Sequence, residues 1–146
     1  MNEITLPNIP TREQIERLQV AMSGMPQTEV ETTHHFSGGM YCRKVFRKAG
    51  TLIVGKVHKQ DHLFVCCAGE IMAWTESGMK TLRPGDVIES KAGTKRATLA
   101  LTDAIGMTVH KTDLTNPAEI EKEIIEPDST ALFDFDNRPF RLEKAA

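Results

Sequence analysis

Residues 50–69 read GTLIVGKVHKQDHLFVCCAG: a β-rich run that carries two histidines and is closed at each end by a glycine. Side chains alternate between faces along a strand with period two. Read as one strand, the stretch places Lys56, His58, His62, Phe64 and Cys66 on one face. Leu63 and Val65 take the other face. Two imidazoles four residues apart converge on a common point if the strand bends or faces a second strand. The opposite face is apolar as well, so the pattern calls for a helix or a second subunit to cover it.

The same texture extends in both directions. YCRKVF (41–46), HLFVCC (62–67), EIMAWTE (70–76), DVIES (86–90), ATLAL (97–101) and IGMTVH (105–110) alternate with turn residues such as Ser37-Gly38-Gly39, Ser77-Gly78, Arg83-Pro84-Gly85 and Ala92-Gly93. No helical pattern separates these runs, so they predict an antiparallel sandwich or barrel rather than a βαβ series. Helices are predicted only at the ends. Thr11 and Gln14 form a capping box ahead of the stripe Ile15, Leu18 and Met22, and Gly24 and Pro26 stop that helix. Asn116 caps a second helix with Pro117 at its first position, and Ile120 and Ile124 share a face before Pro127. The chain therefore divides into a leader and helix (1–28), a barrel (29–112), and a helix with a tail (113–146). Leu132, Phe133, Phe135, Phe140 and Leu142 are the apolar residues of that tail. Docking on the barrel, docking on a second subunit, and a loose tail are all open from sequence.

At 146 residues the chain is long enough for one domain with a real core. A net charge of −2 builds no broad basic surface, which argues against nucleic acid as a partner. No apolar run approaches the roughly 20 residues needed to span a bilayer, and the first residues lack the pattern of a secretory signal. Cys42, Cys66 and Cys67 are odd in number, and two are adjacent, so reduced thiols and a cytoplasmic location are expected.

The glycine register resembles that of the cupin superfamily. Its first motif is a glycine, five residues, His-any-His, three or four residues, Glu, six residues and Gly. Gly50, His58 and Gly69 match, Lys56 stands for the first histidine, and His62 stands for the glutamate. In the second motif Gly85 and Gly93 match, while Lys91, Arg96 and Ala100 replace the proline, histidine and asparagine. The resemblance covers about residues 36–110. It implies a mainly β, double-stranded β-helix or jelly-roll barrel with short terminal helices, an interior pocket and a homodimer. The phrasing THHFSGGMYCRKVF is also similar to small cupin-like proteins of tailed bacteriophages, which implies a phage or prophage source rather than a reaction.

Three function classes follow. In the first, a small anionic ligand binds in the pocket through Lys56, His58, His62 and Arg96, with Tyr41 adding to the wall. A buried Lys or Arg is costly unless paired. Its partner is either the ligand or an internal carboxylate such as Glu70, Asp86 or Glu89. In the second, His58, His62 and His110 hold one divalent ion, with Zn, Fe, Mn and Ni all suited, for lyase, isomerase or dioxygenase chemistry. The alternative for these histidines is a structural role in a barrel that has lost its metal. In the third, the protein is a phage accessory or structural protein whose pocket its own side chains fill.

Overall fold

The computed structural model describes residues 6–27, 30–128, 131–134 and 138. Among the described residues, nine antiparallel strands form two sheets. The first holds β1 (Thr32–Ser37), β2 (Met40–Arg47), β9 (Ala104–Lys111), β4 (His62–Ala68) and β7 (Val87–Ser90), in that spatial order. The second holds β3 (Leu52–Val54), β8 (Ala97–Ala100), β5 (Ile71–Thr75) and β6 (Gly78–Leu82). The order zigzags between distant strands, as a jelly roll requires. Inward side chains of the two sheets share one interior.

That interior is packed in one part and hollow in another. Phe64, Cys66, Ile71, Ala73, Leu82, Ala100 and Ala104 form a buried cluster between the sheets. Phe64 also lines the cavity, so the packed core serves as the cavity's floor.

Both helices form where the sequence predicts them. In α1 (Arg12–Met22) the Thr11 hydroxyl accepts from Gln14 N at 3.1 Å, and Thr11 N donates to the Gln14 side chain at 2.8 Å. Leu18 and Met22 pack on Ala97, Leu132 and the Trp74 ring, so this helix lies against the second sheet. In α2 (Pro117–Ile124) Asn116 Oδ1 accepts from Ala118 N and Glu119 N. Ile120 and Ile124 bury against Tyr41.

The segment after α2 is tied to the barrel by a buried ion pair. The Lys95 side chain, 3% exposed, donates to Asp128 Oδ2 at 3.0 Å, and Gln19 Nε2 donates to the same oxygen at 3.0 Å. Leu132 and Phe133 then pack beside α1, so this part of the tail docks on its own barrel; Phe135, Phe140 and Leu142 lie outside the described residues. Asp128→Ala would strand the Lys95 ammonium in the interior, a change that costs about 3 kcal/mol or more. Urea unfolding should show that loss, and a midpoint equal to wild type would mean that water replaces the carboxylate.

Three expectations need correction. Residues 55–61 are not strand, so His58 and His62 do not share a continuous strand face: His58 makes an isolated bridge to Ile125, and His62 opens β4. Gly78, read with Ser77 as a break, instead opens a strand: GMKTL (78–82), which carries no strand expectation, is the second arm of a hairpin with β5 in which Thr75 pairs with Gly78. Of the two covers expected for the outer face of the first sheet, the helix falls, since Leu63 stays 39% exposed and Val87, paired with Val65, 54%; a second subunit is the remaining expectation.

Candidate metal centre

The site grows from two strands and one turn. His62 opens β4, and His110 lies near the end of β9. Leu63 pairs with Val109, which places these two histidines side by side on the inner face. The 55–61 turn carries His58 back over them. The ring centroids of His58 and His62 are 3.9 Å apart, and each is about 5 Å from His110 (5.0 and 5.1 Å). One ligand atom from each histidine lies within 4.8 Å of the other two.

The orientation of the rings favours coordination. His58 Nδ1 faces Lys56 O at 3.1 Å, and His62 Nδ1 faces Gln60 O at 3.4 Å. A carbonyl can only accept, so each Nδ1 carries the proton and each Nε2 keeps its lone pair. His110 Nε2 lies 2.8 Å from the Thr108 hydroxyl. Behind His110 stands a stack of rings: Tyr41 at 5.4 Å, then Phe36 on Tyr41 at 4.9 Å. The Tyr41 hydroxyl shares a 2.6 Å hydrogen bond with His34 Nδ1.

All three imidazoles are held neutral. Burial pushes the pKa of His58 down to about 2, helped by His62 and His110. Burial likewise takes His110 to about 3, and it lowers His62. A free-lone-pair imidazole is the form that binds a metal. Twice a nitrogen–metal bond of about 2.0–2.1 Å is about 4 Å, so three donors within 4.8 Å suit a single ion after small adjustments. The residues present fit the group.

These shifts have a consequence for the metal-free protein. In the unfolded chain imidazole takes up a proton near pH 6.5. In the folded chain His58 and His110 resist protonation until about 2 and about 3. Between those limits the unfolded state binds more protons, so stability is complete above pH 6.5 and is lost as pH falls below it. The slope is about 1.4 kcal/mol per pH unit for each group that stays neutral. Chelator-treated protein should therefore melt on the order of 10 °C lower at pH 5 than at pH 7. The His58 share, about half of that fall, should vanish in His58→Ala/His62→Ala, while the share of the retained His110 stays. A wild-type Tm that is flat between the two pH values would contradict the assigned burial.

The histidines stand over a cavity of about 150 Å³ that Lys56, Phe64, Ser90, Arg96 and Thr108 help to line. The four positions that match the motif's ligand positions, Lys56, His58, His62 and Arg96, all face it. Two of them are engaged within the protein. Lys56 Nζ bonds Glu121 of α2, and Arg96 donates to Ser90 Oγ at 2.6 Å and to Glu76 Oε1 at 3.0 Å. Neither partner is among the carboxylates expected from sequence: Glu70 pairs with Arg83, and Asp86 caps the turn at Arg83 N. Tyr41 is fully buried and faces α2 rather than the cavity, so its place is behind the metal-ligand candidate His110. Cys66 is a buried thiol in contact with backbone carbonyls. His34 and His35 sit on opposite sides of β1, and neither joins the cluster.

Arg43, which the sequence puts on one strand face with Tyr41 as an addition to the pocket, does line the cavity; Arg47 and Thr108 line it too and stand outside the residues singled out from sequence. The available signal was parity: Tyr41, Arg43, Val45 and Arg47 alternate along β2, so two arginines occupy what is otherwise an apolar inward row.

The sequence matches no protein-family model and no curated protein. Solved structures do match the fold. KdgF from Halomonas sp. superimposes with a TM-score of 0.53 at 14% identity, over 60% of this chain and 84% of that one. A cupin superfamily protein from Desulfitobacterium hafniense DCB-2 gives 0.50 at 15% identity, over 75% of this chain and 99% of its own. The DMSP lyase DddQ from Ruegeria pomeroyi DSS-3 gives 0.51 at 18% identity, over 60% of this chain and 49% of that one. With two antiparallel sheets in jelly-roll order and a histidine cluster at the cavity, this chain is a cupin-fold protein. The fold alone assigns no activity.

Among the described residues no helix is long and apolar enough to cross a membrane.

Proposed function

We propose that this protein is a metal-dependent cupin in which His58, His62 and His110 hold one divalent transition ion and the cavity presents a small anionic molecule to it. The observation that carries this reading is the convergence of three neutral imidazoles within 4.8 Å at a cavity wall. Structural histidines have no need to meet in this way. They pay for desolvation together and receive no mutual hydrogen bond in return.

When bound, the ion would act as a Lewis acid toward an oxygen of the ligand. The chain's own groups do the rest. Lys56 O and Gln60 O fix the tautomers of His58 and His62, and Thr108 sets the tilt of His110. Phe64 excludes water from below, and the arginines supply positive charge to the cavity. Lys56 and Arg96 are both committed to glutamates, which favours the metal reading over an anion site built on those two alone. A cavity of about 150 Å³ also weighs against a pocket filled by its own side chains. The ion's identity is open among Zn, Fe, Mn and Ni, since imidazole donors suit several of them.

The test is elemental analysis of untagged protein purified without chelator. Close to one transition-metal equivalent per chain supports the reading, and lyase, isomerase and oxygenase substrates then follow on the loaded protein. Metal-free protein that takes up no added Zn²⁺, Fe²⁺, Mn²⁺ or Ni²⁺ would overturn it.

A further inference from the structure

Arg47 ends β2 with its side chain in the interior, 4% exposed. It lines the cavity that the three histidines overlook. Its Nη1 donates to Thr98 Oγ1 of the opposite sheet at 2.9 Å, and its Nε has no hydrogen-bond partner. No carboxylate pairs with it among the described residues. The guanidinium lies 5.7 Å from the centre of the Phe64 ring. Burial, with Arg43 adding repulsion, lowers its pKa to about 10, so it remains a cation at neutral pH.

A buried guanidinium with no carboxylate partner is costly, and one hydroxyl and one ring offset only part of that cost. Yet the surroundings keep room for it. A Cβ on Gly106 would come 3.0 Å from Arg47 Nη2 and 2.8 Å from Phe64 Cζ, so only glycine leaves both groups in place. Gly106, Thr108 and His110 alternate up the inner face of β9, in steps of about 7 Å. The cationic floor and the histidine centre are therefore two levels of one cavity. A planar, donor-only group with free N–H capacity matches a carboxylate. The cavity volume, about 150 Å³, compares with interior cavities that admit a benzene-sized guest, so the ligand has on the order of six to ten heavy atoms. Nucleotides and sugar nucleotides are too large.

We propose that Arg47 anchors a ligand carboxylate at the floor of the barrel, and that the ligand is a short dicarboxylate or carboxylate-bearing oxyacid whose other end reaches His58, His62 and His110. The second clause rests on the metal reading above; the Arg47 subsite does not.

The experiment is calorimetric titration of zinc-loaded and chelator-treated protein with succinate and with butyrate, which has the same carbon count and one carboxylate. Wild type and Arg47→Met are compared. Loaded wild type should bind succinate more tightly than butyrate. Arg47→Met should weaken succinate roughly 10- to 100-fold, as expected for loss of charge-assisted hydrogen bonds, with zinc stoichiometry unchanged. The ligand-free variant should melt at or above the wild-type temperature, because removal of an unmatched buried charge does not destabilise. Succinate affinity equal to wild type in Arg47→Met, or a lowered Tm with no change in succinate binding, would overturn the proposal and leave Arg47 as a strut to Thr98. If zinc fails to bind but chelator-treated protein still loses succinate with Arg47→Met, the subsite stands and the metal reading falls. If zinc binds and wild type takes up neither acid, the subsite falls and the metal reading stands.

Discussion

Replacing His58 and His62 together by alanine should reduce bound transition metal from about one equivalent to a background level while the barrel stays folded. The two residues supply two of the three donor atoms that lie within 4.8 Å. Groups that only orient a metal ligand are worth about 10- to 100-fold in affinity. Loss of two direct donors should therefore cost more than about 10³-fold. The fold should survive because neither ring belongs to the buried clusters: the core is Phe64, Cys66 and Ile71 below, and Tyr41 with the α2 isoleucines alongside. In the metal-free state the rings also cost stability once pH falls below about 6.5, since burial holds both neutral while the unfolded chain takes up protons. The pair of measurements is metal content by mass spectrometry and secondary structure by circular dichroism. Stoichiometric metal in a folded double variant would place the centre elsewhere.

The largest effect on stability is expected at Gly69. It follows the irregularity in the β4–β9 ladder between Cys66 and Ala68, and its φ is +70°. A Cβ there would lie 2.1 Å from Asp103 O in the β8–β9 connection and 2.9 Å from Ala104 Cα at the start of β9, both backbone atoms. That connection is fixed from both sides, by Leu101 N donating to Glu70 O at 2.9 Å and Glu70 N donating to Thr102 Oγ1 at 3.1 Å. The clash cannot be relieved by rotating a side chain, and the left-handed backbone adds its own cost of about 1–2 kcal/mol. Gly69→Ala should destabilise by about 4 kcal/mol or more and lower Tm by on the order of 10 °C. Gly50→Ala is the control, because Gly50 has a φ of +86° but meets nothing within 4 Å. It should show the backbone cost alone. Equal Tm values for the two variants would mean that the close approach at Gly69 contributes nothing.

The fold was legible because it rests on local rules. Turn glycines at 50, 69, 85 and 93 all adopt positive φ, so their spacing marks where strands must end, and that spacing is written directly in the chain. Both helices are set by caps and apolar stripes a few residues long. β6 was not legible: Gly78-Met-Lys-Thr-Leu has little alternation, and it is strand because it pairs with β5 across a tight turn.

The site was legible only in part. The histidines at 58, 62 and 110 could be gathered from sequence, although the single strand first used to align two of them is interrupted at 55–61. They meet because a turn folds back, a geometry that no period-two rule contains. Side-chain pairing was beyond reach. Glu121 is 65 residues from Lys56, Glu76 is 20 from Arg96, and Thr98 is 51 from Arg47. Parity says which way a residue points, but it cannot say what waits there.

The sequence by itself thus determined the strand texture, the helix ends, the glycine turns and the identity of three histidines on the inner side. Only the tertiary structure decided that Tyr41 stands behind His110, that Lys56 and Arg96 are tied to glutamates, and that Arg47 is buried with its Nε unpaired. The reason is physical. Capping, turns and alternation are short-range and act between neighbours, whereas the charge balance of a cavity is a sum over residues that become neighbours only after the two sheets have closed.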